Sequence, residues 1–484
     1  MTSALFKDIL VSFAILSMLL LLGTFLRAKV KLFQKLFLPA SVIGGFIGLI
    51  LGPELLGSVL PVTFSEAYVD IWSLLPSILI VPIFAAVPLG LFMNAKKSNT
   101  VETVELDKNG KKKAKVGLAS SALICLFVFM GLSWLQSIIG FGTNKIFSVL
   151  CPDMELYRVF GYELSQGFVG GHGSAGQVSS IYQTLGFDFW ESAQGVTTAT
   201  ATIGLIGGML LGIAFINAAA RKGKTALLQK PAELSEDLRT GMRKNVDEQP
   251  SMGRETTQNS TTEASTLHFA IILAACGIGY LVTKLLSAAG SLLPVWIWAM
   301  AAMVGINALL RAFKLDWLID PKIKAKITGT LSDFAIVAAI ASVPLSLVAQ
   351  YILPILVMCA LGFVGTYLYT FKLNNWLLKD NCPFEHSIIE WGAGTGVMIT
   401  GMMLLKICDP DYRTSALQDF SVGFSMISII SLALYVVIMQ ALKSWSTTGN
   451  LLFSIVLTML FTGLAILVGM LRKRKLKKIA DVNA

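Results

Sequence analysis

Apolar stretches of about 20 residues, the length a helix needs to span a bilayer, recur along nearly the whole chain and are separated by polar or basic loops. Lipid offers no partner for a backbone N–H or C=O, so a stretch of this kind has to satisfy itself as a helix. Composition agrees: 55% of the residues are hydrophobic and 14% charged, where a soluble domain spends about a quarter on charge. The pattern predicts an all-α polytopic membrane protein of about 11 spans, each near the 20-residue length. They fall near 5–26, 37–57, 71–93, 116–139, 192–219, 266–288, 293–311, 328–350, 352–371, 416–441 and 450–471. The first span has no basic run before it and no small-residue cleavage site after it, and reads as a retained helix.

Two further segments, about 165–187 and 385–407, are too rich in Gly and polar residues to face lipid. If both are hairpins that return to the side they left, all but Lys7, Lys145, Arg158, Lys284 and Lys443 of the 39 Lys and Arg fall on one face. That face is then cytoplasmic, the N-terminus outside and the C-terminus inside. A single crossing by either segment would strand a basic block outside, Arg221–Arg254 in one case and Arg472–Lys478 in the other. The net charge of +10 is therefore a topology signal and implies no nucleic-acid partner. The six scattered Cys form no metal or disulfide pattern. No phosphate-binding loop, dinucleotide fingerprint or nucleophile–base pair appears, which argues against an ATP-driven pump and against a soluble-type enzyme.

Each half then holds five spans with a re-entrant hairpin before the fifth, and an odd number of crossings inverts the second half relative to the first. The predicted organisation is 1–219 as the first inverted repeat, 220–265 as a polar, disordered cytoplasmic linker, 266–441 as the second repeat, and 450–484 as an extra C-terminal span with a basic tail. Weak internal matches agree: Gly171-His172-Gly173-Ser174 with Gly392-Ala393-Gly394-Thr395, and Ala86-Val87-Pro88-Leu89 with Ser342-Val343-Pro344-Leu345. Interrupted segments at matched places in two halves are the sequence mark of a transporter binding site.

The hairpins hold the candidate chemistry. Gly170, Gly171, Gly173 and Ser174 lie in a stretch where exposed backbone N–H groups at a helix start attract carboxylates, against the plainer reading of small-residue helix packing. Gly392, Gly394, Thr395 and Gly396 are the counterpart in the second hairpin. His172 between the first set is a ligand, a proton carrier or a hydrogen-bonded strut. Asp333 and Glu390 are ionisable groups in apolar surroundings, each able to hold a substrate ammonium or offset a coupling cation; Asp333 also fits a helix N-terminal acid at the interface. Thr200 and Ser428, within hydroxyl-rich runs of the fifth and tenth spans, are candidate Na⁺ ligands or interhelical hydrogen bonders.

Gly170-Gly171-His172-Gly173-Ser174-Ala175, the run Ala199-Thr200-Ala201-Thr202-Ile203-Gly204 and the second-span pattern Pro39…Gly44-Gly45 resemble the sodium/glutamate symporter family. The resemblance implies two five-helix inverted repeats with hairpins, an elevator-like movement of a core against a scaffold, a homodimer, and Na⁺-coupled uptake of glutamate with no organic cofactor. The Glu390-Trp-Gly-Ala-Gly-Thr-Gly run and the extra last span depart from the family pattern. The expected partners are a small anionic, glutamate-like solute and the lipids of a bacterial inner membrane. A proton-coupled carrier of another organic anion, a channel and a membrane-embedded enzyme using His172 and Asp333 are the rivals.

Overall fold

The computed structural model describes residues 3–35, 38–53, 55–56, 64–90, 118–226, 236, 240–243, 245–258, 260–287, 293–409 and 413–482. The basic loop at 108–115 lies outside them. Among the described residues the secondary structure is helical throughout, without strands. The principal helices are α1 (Ser3–Lys29), α2 (Ala40–Ile50), α3 (Glu66–Ala86), α4 (Leu118–Leu150), α5 (Tyr162–Gly170), α6 (Gly173–Leu185) and α7 (Trp190–Arg221). They continue as α8 (Ala264–Ser287), α9 (Val295–Ala312), α10 (Pro321–Ala341), α11 (Ile352–Leu377), α12 (Pro383–Cys408), α13 (Ala416–Ser444) and α14 (Thr447–Val482). Among the described residues, nine helices are long and apolar enough to cross a membrane.

The helices sort into two packing groups. In one, α1 lies on α2 and α8 on α9, while α2 packs against α10 and α9 against α3. In the other, α4 is the central post, with α11, α13 and α14 along it, and α7 packs against α5 and α12. Helix α6 is the wedge between them, touching α3 on one side and α7 on the other. An apolar cluster runs across the boundary, with Ile80 and Trp296 from the first group meeting Met130 and Val178 on the other side. A second cluster, built on Phe129, Leu132, Met209, Trp391 and Phe420, lies wholly inside the second group.

Small residues set how close these helices come. Gly204, Gly208 and Gly212 lie one turn apart on α7 and form a groove for α12: a Cβ on Gly204 or Gly208 would overlap Thr395, and one on Gly212 would come within 2.5 Å of Leu404 Cδ1. With no hydrophobic drive between helices in lipid, close van der Waals contact of this kind is what holds them. Trp391 Nε1 closes the contact by donating to Gly208 O at 2.8 Å. Pro76 and Pro82 lie inside α3, which stays helical through both, and Gly176 of α6 packs directly on the Pro76 carbonyl.

Parts of the 220–265 segment touch the helices. The Ala226 N–H donates to Glu385 Oε1 at 2.6 Å, and Arg254 Nε pairs with Asp320 Oδ2 at 2.9 Å. The last helix, α14, runs the length of α4. It is pinned at its far end, where the Arg472 guanidinium makes two bonds to the Asp380 carboxylate, at 2.7 and 3.1 Å.

Candidate functional site

The first glycine-rich segment folds as a helical hairpin. Helix α5 ends at Gly170, the chain turns through Gly171 with φ 64°, and α6 starts at Gly173. Positive φ is a conformation glycine adopts without steric cost. The far ends of the two arms are tied: Tyr182 OH on α6 donates to Glu163 Oε1 on α5 at 3.0 Å. Tyr157 OH and the Gly161 N–H complete the shell of this buried carboxylate at 2.9 and 2.7 Å.

The second segment is also a hairpin, bent later than its glycine cluster suggests. Helix α12 breaks at Gly396 (φ −154°, ψ 36°) and Val397 (φ 68°, ψ 166°), and its two stretches fold back on each other. Gly392 is a packing glycine: its Cβ would lie 2.6 Å from the Gly401 Cα on the returning arm. Gly394 faces Leu132 at 2.5 Å in the same sense. Thr395 is fully buried, and its hydroxyl donates back to Trp391 O at 2.8 Å. Of the second set only Gly396 sits at the turn. The two turns meet, with Val397 lying where a Cβ on Gly171 would be.

Beside the first turn is a cavity of about 220 Å³, bounded by α4, α5, α6 and α13 on one side and by Phe84 of α3 and Met300 of α9 on the other. Of the expected residues, Gly170 and Ser174 line it. So does Ser431, one of the hydroxyls on the tenth span. The remaining polar lining was not singled out by the sequence: Ser133 and Ser137 on α4, Tyr162, Ser165 and Gln166 on α5, Gln177 on α6 and Tyr435 on α13. Ser133 Oγ lies 3.0 Å from Ser165 Oγ, and Gln177 Nε2 donates to Tyr435 OH. Among the described residues the lining contains no Asp, Glu, Lys or Arg. A charged solute held here would be met by hydroxyls, amides and the positive end of α6, where the Ser174 and Ala175 N–H groups already donate to Gly171 O and His172 O. The signal available in the sequence was the single Ser and Gln residues one turn apart on apolar helices.

The other candidates lie elsewhere. His172 is 5% exposed, and its Nε2 is 2.9 Å from Thr202 Oγ1. The Thr202 hydroxyl already donates to Thr198 O, so His172 is the donor, a strut from the turn to α7. Thr200 is fully buried and spends its hydroxyl on the carbonyls of Thr197 and Glu163. Ser428 falls on α13, with its side chain outside the described residues. Asp333 is exposed on α10, in the first packing group. Glu390 is fully buried on the first arm of α12 and bonded to Asn374; neither it nor Asp333 borders the cavity. Among the described residues no three His, Cys, Asp or Glu side chains are grouped to hold a metal ion.

No curated protein matches the chain. Among solved structures, the sodium proton antiporter MjNhaP1 from Methanocaldococcus jannaschii at pH 8 is 18% identical and covers 92% of this chain and 99% of that one. Its TM-score of 0.35 is too low to carry an argument. The family model for sodium/glutamate symporters matches residues 6–380, most of the chain, from α1 through α11. This multi-pass membrane protein belongs to the sodium/glutamate symporter family.

Proposed function

We propose that the protein is a secondary active transporter that takes up glutamate or a related small carboxylate together with Na⁺. The observation that carries this reading is the cavity at the first hairpin turn, walled by hydroxyls and amides and placed between the two helix groups. A solute held there is bracketed by parts of the protein that can move past one another. Alternating access then follows from an elevator-like shift of the α4–α7 and α11–α14 group against the α1–α3 and α8–α10 group. The boundary supports such sliding because it is largely apolar and holds few directional bonds to break.

Reciprocal packing supports two inverted repeats, 1–219 and 266–441: α1 pairs with α2 as α8 does with α9, and α2 meets α10 as α9 meets α3. On this reading the two hairpins are re-entrant, 220–265 is the cytoplasmic linker and 450–484 is an addition to the repeat plan. The Gly173 N–H and the Ser174 hydroxyl offer hydrogen bonds to carboxylate oxygens, and Gly170, at the carbonyl end of α5, lines the same cavity. Gly171 and Gly396 shape the two turns, and Na⁺ binds among the hydroxyl and carbonyl oxygens around Thr200 and Ser428. The family reading also brings a homodimer in a bacterial inner membrane, with the N-terminus outside and the C-terminus inside.

Uptake of labelled L-glutamate into proteoliposomes tests the proposal, with an inward Na⁺ gradient against a K⁺ control. Saturable, Na⁺-dependent accumulation is expected. Uptake that ignores Na⁺ removes the coupling ion from the proposal, and absence of glutamate flux under any gradient removes the substrate.

A further inference from the structure

Each hairpin contains a fully buried glutamate, and the two are treated in opposite ways. Glu163 accepts from three donors that between them use both of its oxygens. A carboxylate so surrounded is satisfied as the anion. Glu390 has a single donor, Asn374 Nδ2, at 2.7 Å from Oε2. Among the described residues its other oxygen, Oε1, has no partner, and neither has Oδ1 of that same Asn374.

Two orphan acceptors on the two partners of one hydrogen bond have a simple explanation. An acid and an amide close a ring of two hydrogen bonds, N–H to one carboxyl oxygen and O–H from the other back to the amide oxygen. The carboxylate form supplies only the first. One proton on Glu390 Oε1 supplies the second and satisfies both orphans, because a protonated carboxyl carries an O–H donor. The alternative, a buried anion with half its acceptors empty, is among the costliest arrangements a protein interior can hold.

The ionisable groups that bear on Glu390 are Cys125 from α4, Tyr369 from α11 and His386 on α12 itself. The Cys125 thiol adjoins the carboxyl without reaching hydrogen-bond geometry with Oε1. Asp419 of α13 stands behind His386, with Oδ2 3.1 Å from its Nε2, and Glu385 is next to it in the chain. None of the described ionisable residues of α5 or α7 bears on Glu390. His386 is one helical turn nearer the start of the arm, so it and Asp419 lie between Glu390 and the end of the hairpin where the chain enters.

We propose that Glu390 and Asn374 form a proton-binding site in the second hairpin, in which a proton on Glu390 Oε1 is donated to Asn374 Oδ1 and exchanges with water by way of His386 and Asp419. The change is the addition of one proton to one carboxylate; no other bond forms or breaks. Every atom of the site belongs to the second helix group, so the proton goes wherever that group goes. The inference stands apart from the Na⁺ and glutamate reading, and its test needs no transported solute.

The test is infrared spectroscopy of the full chain in lipid vesicles at neutral pH, with exchange from H₂O to D₂O. Wild type is expected to show a carboxylic-acid C=O band that shifts in D₂O. That band should be missing in Glu390→Gln, retained in Glu163→Gln, and several-fold slower to exchange in His386→Leu. A spectrum unchanged by Glu390→Gln, or a band lost with Glu163 instead, overturns the site; exchange unchanged in His386→Leu overturns the route. Should Glu390→Gln fail to fold, Asn374→Leu decides the matter. The band then rises in frequency as the acid loses its partner, and an unmoved band rejects the pairing.

Discussion

Gly171 and Val397 stand turn to turn in closely similar backbone conformations, φ 64°, ψ −159° and φ 68°, ψ 166°, and the Val397 side chain occupies the place a Cβ on Gly171 would take. A β-branched residue at positive φ is a rarity and a strain. Strain of this sort persists only where the surrounding structure enforces it, and it gathers at functional sites. The glycine on one turn is what makes room for the valine on the other.

Substituting Gly171 by Ala should therefore force the turns apart. A left-handed backbone costs a non-glycine residue about 1–2 kcal/mol, and the overlap with Val397 adds to it. Glutamate uptake is expected to fall roughly tenfold, the factor that corresponds to about 1.4 kcal/mol. Val397→Ala in the same chain should recover part of the loss; no recovery would mean that the two turns do not meet.

The α7 groove predicts a loss of stability. Gly208→Val drives two methyl groups into Thr395, and overpacking of this kind costs about 1–3 kcal/mol. The melting temperature in detergent should drop, and drop less when Thr395→Gly is added. An unchanged melting temperature would remove the groove from the account of how α12 is held.

Tyr435→Phe separates two roles of one side chain. The ring packs edge-on against Trp296 with centroids 4.8 Å apart, and the hydroxyl takes the hydrogen bond from Gln177 in the cavity wall. Removing only the hydroxyl costs about 1 kcal/mol. The expectation is a KM several-fold higher with the melting temperature little changed, read from uptake kinetics and thermal unfolding of the same preparation.

Asp320 provides a pH dependence outside the membrane spans. Burial by itself would raise its pKa, but the Arg254 guanidinium and the N–H groups of Lys322 and Ile323 win and hold the carboxyl below its ordinary range. A depressed carboxylate contributes stability that is complete above its unfolded value and is lost as pH falls through the folded one. Thermal stability should thus decline at acid pH. Asp320→Asn, which keeps an N-cap side chain for α10, should flatten that part of the decline, and Asp320→Ala should cost about 1 kcal/mol at neutral pH.

The helices were legible in the sequence because lipid leaves an apolar stretch one structure to adopt. The expected span at 192–219 and the observed Trp190–Arg221 differ by two residues at each end. The second turn was less legible. A cluster of glycines signals either a turn or a close helix contact, and here Gly392 and Gly394 serve contact while a valine takes the positive φ. Most of the cavity wall was not legible at all. Ser133, Gln166 and Gln177 look in the sequence like the isolated polar residues that bond between helices, and only the folded chain shows which of them share a void. Glu390 stood out by charge alone, but its orphan oxygen and that of Asn374, sixteen residues earlier, have meaning only as a pair.

Helix α14, laid along α4 and fastened at Arg472, has a mechanical consequence. On the elevator reading it travels with the second group, and its outer face, with Leu452, Val456, Met459 and Leu460 exposed, sweeps through acyl chains as it goes. The moving part is then broader in the plane of the bilayer than the repeats by themselves would make it. On that reading turnover is partly a matter of lipid drag, with the viscosity and thickness of the host membrane setting its pace alongside the solute and the ion.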